Sequence, residues 1–282
     1  MRRLVIELFG GLGDVFLSIY HTKNYEILDT LGPEDRATVT LLVHNPHVKE
    51  LFSWHPKRAQ LDLIEYGLVT PPTAETRKAM GLPAPTWDEI GLRPPHPLTY
   101  YPSPADAEAL AQLRAAGDYI VFNIAGGQAD RNLSPAVVEE AARLATDAGY
   151  KVVTVGRTYN HLTRIDGPWA GHHEEPRLSP RAGLIDVVDR LSVPGTAQAV
   201  AGAAAVFCCH SAICLLAWFM KKPVFVLYPK RDPEQGYFKN GSPWTFGRDY
   251  KDTIHRTLGE WRPEDFCNFL MMVYGKQALV SK

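Results

Sequence analysis

The chain has 282 residues, 45% hydrophobic and 22% charged, which excludes a disordered chain and leaves room for two domains or one large one. Thirty basic side chains against thirty-one acidic ones give a net charge of −1, which excludes the chain-wide basic footprint of a general nucleic-acid binder but not a local basic patch. The four cysteines, Cys208, Cys209, Cys214 and Cys267, are too few for a disulfide scaffold and show no CxxC spacing, so reduced thiols, no structural zinc and a cytoplasmic location are expected.

In chain order, Leu4–Phe9 is an apolar run expected to form a strand. Glu7 and Asp14 spoil this N-terminus as a signal peptide. Gly10-Gly11-Leu12-Gly13-Asp14 follows, and a helical pattern then runs through Val15, Ile19 and Tyr20 toward Leu28. A strand, a glycine turn and a helix open a parallel α/β domain. Ala37–Val43 and Leu61–Tyr66 read as further strands, with a short helix over Val48–Trp54. Between Pro71 and Pro104 stand nine of the 22 prolines, so neither a sheet nor a long helix fits there. This stretch reads as a connector, and Trp87, Tyr100 and Tyr101 imply that it packs on something.

The second half repeats the alternation. Strands are expected at Tyr119–Ile124, Lys151–Val155, Ile185–Val188, Val206–Cys209 and Pro223–Leu227. Helices are expected from an N-cap at Ser134 through Ala148, over Thr196–Ala203 and Ala212–Met220, and, amphipathic, over Pro263–Tyr274. Residues 199–220 are long and apolar enough to span a bilayer, but His210 and Ser211 lie at their centre. A buried strand, a polar turn and a buried helix fit that stretch better. The expected architecture is α/β, with two Rossmann-like domains facing across a cleft. Residues 1–105 form the N-terminal domain with its connector (about 67–105), 106–262 the second domain, and 263–282 a terminal helix that packs back on the first.

Three segments at strand ends can carry chemistry, because ligands of open α/β sheets bind there. At Gly10, Gly11, Leu12 and Gly13 the backbone can approach a ligand closely, and Asp14 suits a general base toward a hydroxyl or, equally, an ordinary helix cap. Gly126, Gly127 and Arg131, and then Arg157, offer amides and cations to an anionic ligand, although each arginine alone also fits a solvated loop. His210, Ser211 and Ala212 join a buried strand to a buried helix, where amides face an anion and Ser211 serves as cap or ligand. A Cys–His nucleophile there lacks an orienting acid. Lys230 begins a polar loop through Gly236–Asn240 that suits a base or a sugar.

These pieces, in this order, resemble the ADP-heptose:lipopolysaccharide heptosyltransferases, glycosyltransferase family 9, which have the GT-B fold. The resemblance spans most of the chain outside the connector and is most specific from Pro194 to Pro233. It implies that Asp14 deprotonates an acceptor hydroxyl, that Gly10–Gly13 form the acceptor-side loop, and that Asn123–Arg131 contacts the donor phosphates. It further implies an inverting transfer from a nucleotide-diphosphate sugar to a glycan or glycolipid, with no metal and no cofactor beyond that co-substrate. A nucleic-acid base is the less favoured acceptor, and peripheral membrane contact is compatible with the absence of a spanning segment. His210, Ala212 and Leu215 stand where the family has aspartate, glycine and histidine, which favours a sugar other than heptose, or binding without transfer.

Overall fold

The structure, a computed structural model, describes residues 3–8, 11–21, 24–42, 46–66, 73–79, 81, 98–124, 126, 132–157, 177–228 and 252–280. β1 (Arg3–Leu8), β2 (Arg36–Leu42) and β3 (Leu61–Tyr66) form a parallel sheet in that order. Three helices accompany it: α1 (Leu12–His21), α2 (Asn24–Asp29) and α3 (Pro46–Ser53). Among the described residues of the proline-rich stretch stands one short helix, α4 (Ala74–Ala79), and no strand.

The second sheet has six parallel strands: β4 (Tyr119–Asn123), β5 (Lys151–Thr154), β6 (Leu184–Asp186), β7 (Ala205–Cys209), β8 (Val224–Tyr228) and β9 (Thr253–Thr257). Their spatial order is β6-β5-β4-β7-β8-β9, which is the doubly wound 3-2-1-4-5-6 arrangement of a dinucleotide-binding domain. The order reverses between β4 and β7. The helices are α5 (Ala107–Ala115), α6 (Pro135–Asp147), α7 (Val193–Gly202), α8 (Ala212–Phe219) and α9 (Pro263–Val280).

Alternating residues of the central strands enter two cores. Val121, Val206, Cys208 and Val226 face a cluster that continues through Trp218 and Leu215 of α8 into Phe16 and Tyr20 of α1 and the first sheet. Phe122, Phe207 and Phe225 face a second cluster with α6 and α9. Residues 199–220 therefore end one helix, cross a buried strand and turn into a buried helix. Among the described residues no helix is long and apolar enough to cross a membrane.

Helix α8 reads AICLLAWF, apolar all round, and every residue from Ile213 to Phe219 is buried. A helix without a polar face needs cover on all sides. The second sheet covers one side of α8 and α1 of the first domain covers another. At the carboxyl ends of these two helices, Tyr20 stacks on Phe219 with ring centroids 4.1 Å apart. The end of the connector seals the same boundary. Tyr100 is buried against Phe16 and Tyr25, and its carbonyl accepts a bond from Gln198 Nε2 at 2.8 Å. Tyr101 meets His55 at 5.0 Å; Trp87 lies outside the described residues.

The terminal helix is a correction. It was expected on the first domain, but Phe266, Phe269, Leu270 and Val273 of α9 are buried in the second domain's core, and α9 contacts α6. Those aromatics complete the apolar cover that Phe207 and Phe225 require on the far face of the sheet. Beyond the short α4, two further elements carry no expectation from the sequence, α5 and the edge strand β9. The latter is TIHRT, half-buried throughout, so it lacks the apolar run that marks the central strands.

Candidate functional site

The reversal of strand order places the carboxyl ends of β4 and β7 side by side, with Asn123 in register with Cys208. A crevice at such a point is where doubly wound sheets bind ligands, because the connections on either side leave in opposite directions. Here the two strand ends are tied by side chains. Ser211 Oγ donates to Asn123 Oδ1 at 2.6 Å, and the Cys209 thiol approaches the same oxygen at 3.9 Å. Asn123 Nδ2 donates to the Val155 carbonyl at 3.4 Å, which extends the tie to β5. Asn123 is buried while Ser211 is half-buried. Asn123 lies inside the glycine-basic segment, but its pairing with Ser211, 88 residues away, has no local signature.

Ser211 is the N-cap residue of α8 with extended backbone, yet it makes no side-chain cap bond. The expected cap is thus replaced by a bond to Asn123, and the first amides of α8 are left to other partners. His210, beside it, is buried with its ring 5.5 Å from that of Tyr228, whose hydroxyl meets His255 Nδ1 at 2.9 Å. Leu215, where the resemblance pointed to a histidine in the family, is buried in the core between the domains. Burial pushes the Cys214 thiol well up, and its neighbour Cys208 adds to this, so a thiolate nucleophile is disfavoured there.

On the β5 side, Gly156 adopts φ 147°, a conformation suited to glycine, and its carbonyl accepts from Asp189. Arg157, expected at a donor phosphate, reaches Glu50 of α3 in the first domain at 2.9 Å. A hollow beside it is lined by Ile124, Thr154, Val155, Arg177 and Asp186. Burial alone would raise the Glu50 carboxyl. Hydrogen bonding from His47, the Arg157 guanidinium and the Val193 amide outweigh it and hold Glu50 below its ordinary value.

Val193 is the first residue of α7, and that helix terminus is filled by the protein itself. Asp106, buried at the end of the connector, accepts from the Ser192 amide at 2.8 Å, from the Ser192 hydroxyl and from the Ser103 amide at 2.7 Å. Ser192 in turn caps Gly195 N at 3.0 Å. The carboxylate sits so close that a Cβ on Gly195 would lie 2.5 Å from Asp106 Oδ2, so only glycine fits.

In the first domain, Gly11, Leu12 and Gly13 are half-buried at the start of α1, whose first turn closes with Val15 N donating to Gly11 O at 3.1 Å. Asp14 is the third residue of α1, at the carboxyl end of β1. Its side chain, and Gly10, Gly127, Arg131 and Lys230 entirely, lie outside the described residues. Gly126 is described, and its amide donates to Asn132 Oδ1 at 3.2 Å.

No family model matches the chain. Lipopolysaccharide heptosyltransferase 1 of Escherichia coli O18:K1:H7 (strain RS218 / NMEC) is 26% identical over 242 residues, covering 80% of this chain. The match spans 66% of that relative, just under two thirds of its length. The E. coli ADP-heptose lps heptosyltransferase II structure superposes with a TM-score of 0.60 at 13% identity, over 99% of this chain and 100% of that one. The chain is thus similar to heptosyltransferases, at a divergent level of sequence identity. A family 9 glycosyltransferase from Veillonella parvula DSM 2008 gives a TM-score of 0.57 at 13% identity, over 92% of this chain and 86% of that one. The E. coli heptosyltransferase WaaC with ADP gives 0.51, over 98% and 99%. The two-sheet α/β architecture of this chain is accordingly GT-B.

Proposed function

We propose that this chain transfers a sugar from a nucleotide-diphosphate sugar to a hydroxyl of a glycan or glycolipid, with inversion at the anomeric carbon. The observation that carries the reading is the reversal of strand order between β4 and β7 of the doubly wound sheet, beside the N-terminus of α8. Amides at that terminus, starting with Ala212, hold the diphosphate and stabilise the charge that develops on it as the glycosidic bond breaks. Gly126 and Gly127 let the backbone approach, and Arg131 and Lys230 add cations. Two such charge-stabilising elements make a metal unnecessary in this mechanism.

Asp14, on the opposite domain, takes the proton from the acceptor hydroxyl as its oxygen attacks the anomeric carbon. Gly10–Gly13 shape the acceptor side. The packing of α1 along α8, closed at their carboxyl ends by the Tyr20–Phe219 stack, supports a fixed alignment of the two helices, which is what an in-line displacement needs. A lipopolysaccharide-type acceptor is favoured over a nucleic acid by the names of the relatives. The departures at His210, Ala212 and Leu215 leave the transferred sugar to be found by screening nucleotide sugars.

The test is transfer from a panel of nucleotide sugars, ADP-heptose first, to a lipopolysaccharide acceptor lacking heptose, followed by mass spectrometry. Asp14→Asn should lower the rate by about 100-fold or more while donor affinity stays nearly unchanged. Full transfer by that variant would remove Asp14 from the mechanism.

A further inference from the structure

Residues 98–106, the end of the connector, form a strap that touches both domains. Tyr100 and Tyr101 pack on the first, and Asp106 holds Ser192 at the start of α7 in the second. The ring against which Tyr101 packs is that of His55, whose side chain is fully buried. Tyr25 of α2 meets the same imidazole edge-on, with centroids 5.6 Å apart. Lys57 N lies 3.0 Å from His55 Nδ1, and a backbone N–H can only donate. Nδ1 is therefore an acceptor and the imidazole is neutral. Its one proton sits on Nε2, which faces Asp29 Oδ1 at 3.4 Å.

A second proton finds no room on this ring. At Nδ1 it would set one N–H against another across 3.0 Å, so the ring must turn away, and Tyr101 packs on the ring that moves. We infer that His55 is an acid-sensitive catch for the strap: protonation of Nδ1 breaks the bond from Lys57 N and frees Tyr100 and Tyr101 from the first domain. The groups around the ring set the direction. Burial opposes the imidazolium most, the Lys57 cation opposes it too, and Asp29, half-exposed on α2, favours it. The Tyr25 and Tyr101 phenols stay neutral, because burial and Asp29 raise both. From α3 the Phe52 carbonyl accepts the His55 amide, and Arg58 turns its guanidinium to the Leu61 carbonyl. The balance lowers the imidazole from its ordinary 6.5. The closed strap is thus fully held above pH 6.5, and the hold is lost as the pH falls through the lowered value.

The experiment is hydrogen exchange of the whole chain, read by mass spectrometry from about pH 5 to about pH 8 and corrected for the intrinsic rate. Peptides covering the strap should open more as the pH falls below 6.5, by up to about tenfold per pH unit, the slope of one linked proton. Strands β4 and β7 should stay protected over the same range. His55→Gln keeps an oxygen for Lys57 N and cannot titrate, so its strap should exchange at one corrected rate throughout. Asp29→Asn, at a half-exposed position, removes the pull toward the imidazolium and should move the rise to lower pH. Should His55→Gln fail to fold, the shift in Asp29→Asn decides alone. A strap whose corrected exchange ignores pH, or rises in the variants as it does in the parent chain, overturns the inference. Exchange of β4 and β7 in step with the strap would mean global unfolding and overturns it as well.

Discussion

Helices α7 and α8 both begin at strand ends of the second sheet, and the first-turn amides of both need partners from outside the helix, but the protein treats the two differently. At α7 the chain supplies its own anions: Asp106 from the connector and Glu50 from the first domain. At α8 the cap residue turns its hydroxyl to Asn123, and no carboxylate of the described residues is bonded to it. The same helix-end electrostatics thus serves as an internal clamp in one place and as a ligand cradle in the other. An anion-seeking helix terminus is a site only when the fold has not already filled it.

The largest effect that would break this comparison is at the closed end. Asp106→Ala removes a buried acceptor of three bonds and strands the Ser192 and Ser103 donors, and should cost about 3 kcal/mol in urea unfolding. Gly195→Ala should cost a similar amount, about 2–3 kcal/mol, because its methyl collides with Asp106. A loss under about 1 kcal/mol in both would mean that the α7 terminus is not clamped. At the open end, Ser211→Ala should cost only about 1 kcal/mol, since Asn123 Oδ1 keeps the Cys209 thiol. Its main effect should fall on nucleotide affinity.

Much of the fold was legible in the sequence because the central strands are short apolar runs bounded by glycine, proline or polar turns. Val224–Tyr228 reads as a strand on its own, and Ala205–Cys209 does so once the polar His210-Ser211 turn rules against a membrane span over 199–220. The edge strand Thr253–Thr257 was illegible for the opposite reason, and α5 was hidden because it follows directly on the proline-rich run. At the site, the strand-end positions of Ser211 and Gly126 could be read locally. The partners could not: Arg157 with Glu50 is 107 residues apart, and Asn123 with Ser211 is 88. Such pairings depend on strand order, which the sequence does not print. The terminal helix shows the same limit, since its apolar face fits either domain and only the need of Phe207 and Phe225 for cover decides.

Smaller effects sharpen the contrast. Glu50→Gln weakens a partly exposed ion pair and should cost about 0.5–1 kcal/mol, while leaving nucleotide affinity unchanged. Because the folded protein holds the Glu50 carboxyl below its ordinary value of 4.5, the unfolded chain binds its proton more readily. Stability from this group is therefore present above pH 4.5 and is lost as the pH falls through its lowered folded value. His55 acts in a different window. Burial lowers its imidazole from 6.5 against the opposing pull of Asp29, 3.4 Å away, so stability falls as the pH drops below 6.5. Urea midpoints between about pH 2.5 and 8 should show both losses. His55→Gln should flatten the upper one, and Glu50→Gln the lower; an unchanged profile in either variant would detach that group from the pH dependence.

The measurement that bears most directly on the donor site is a crystal structure of the chain with ADP. The account predicts the diphosphate at the N-terminus of α8, between the carboxyl ends of β4 and β7, with Ser211 Oγ still bonded to Asn123 and the α7 terminus still holding Asp106. A diphosphate bound at α7, or on the first sheet with the β4–β7 crevice empty, would contradict it.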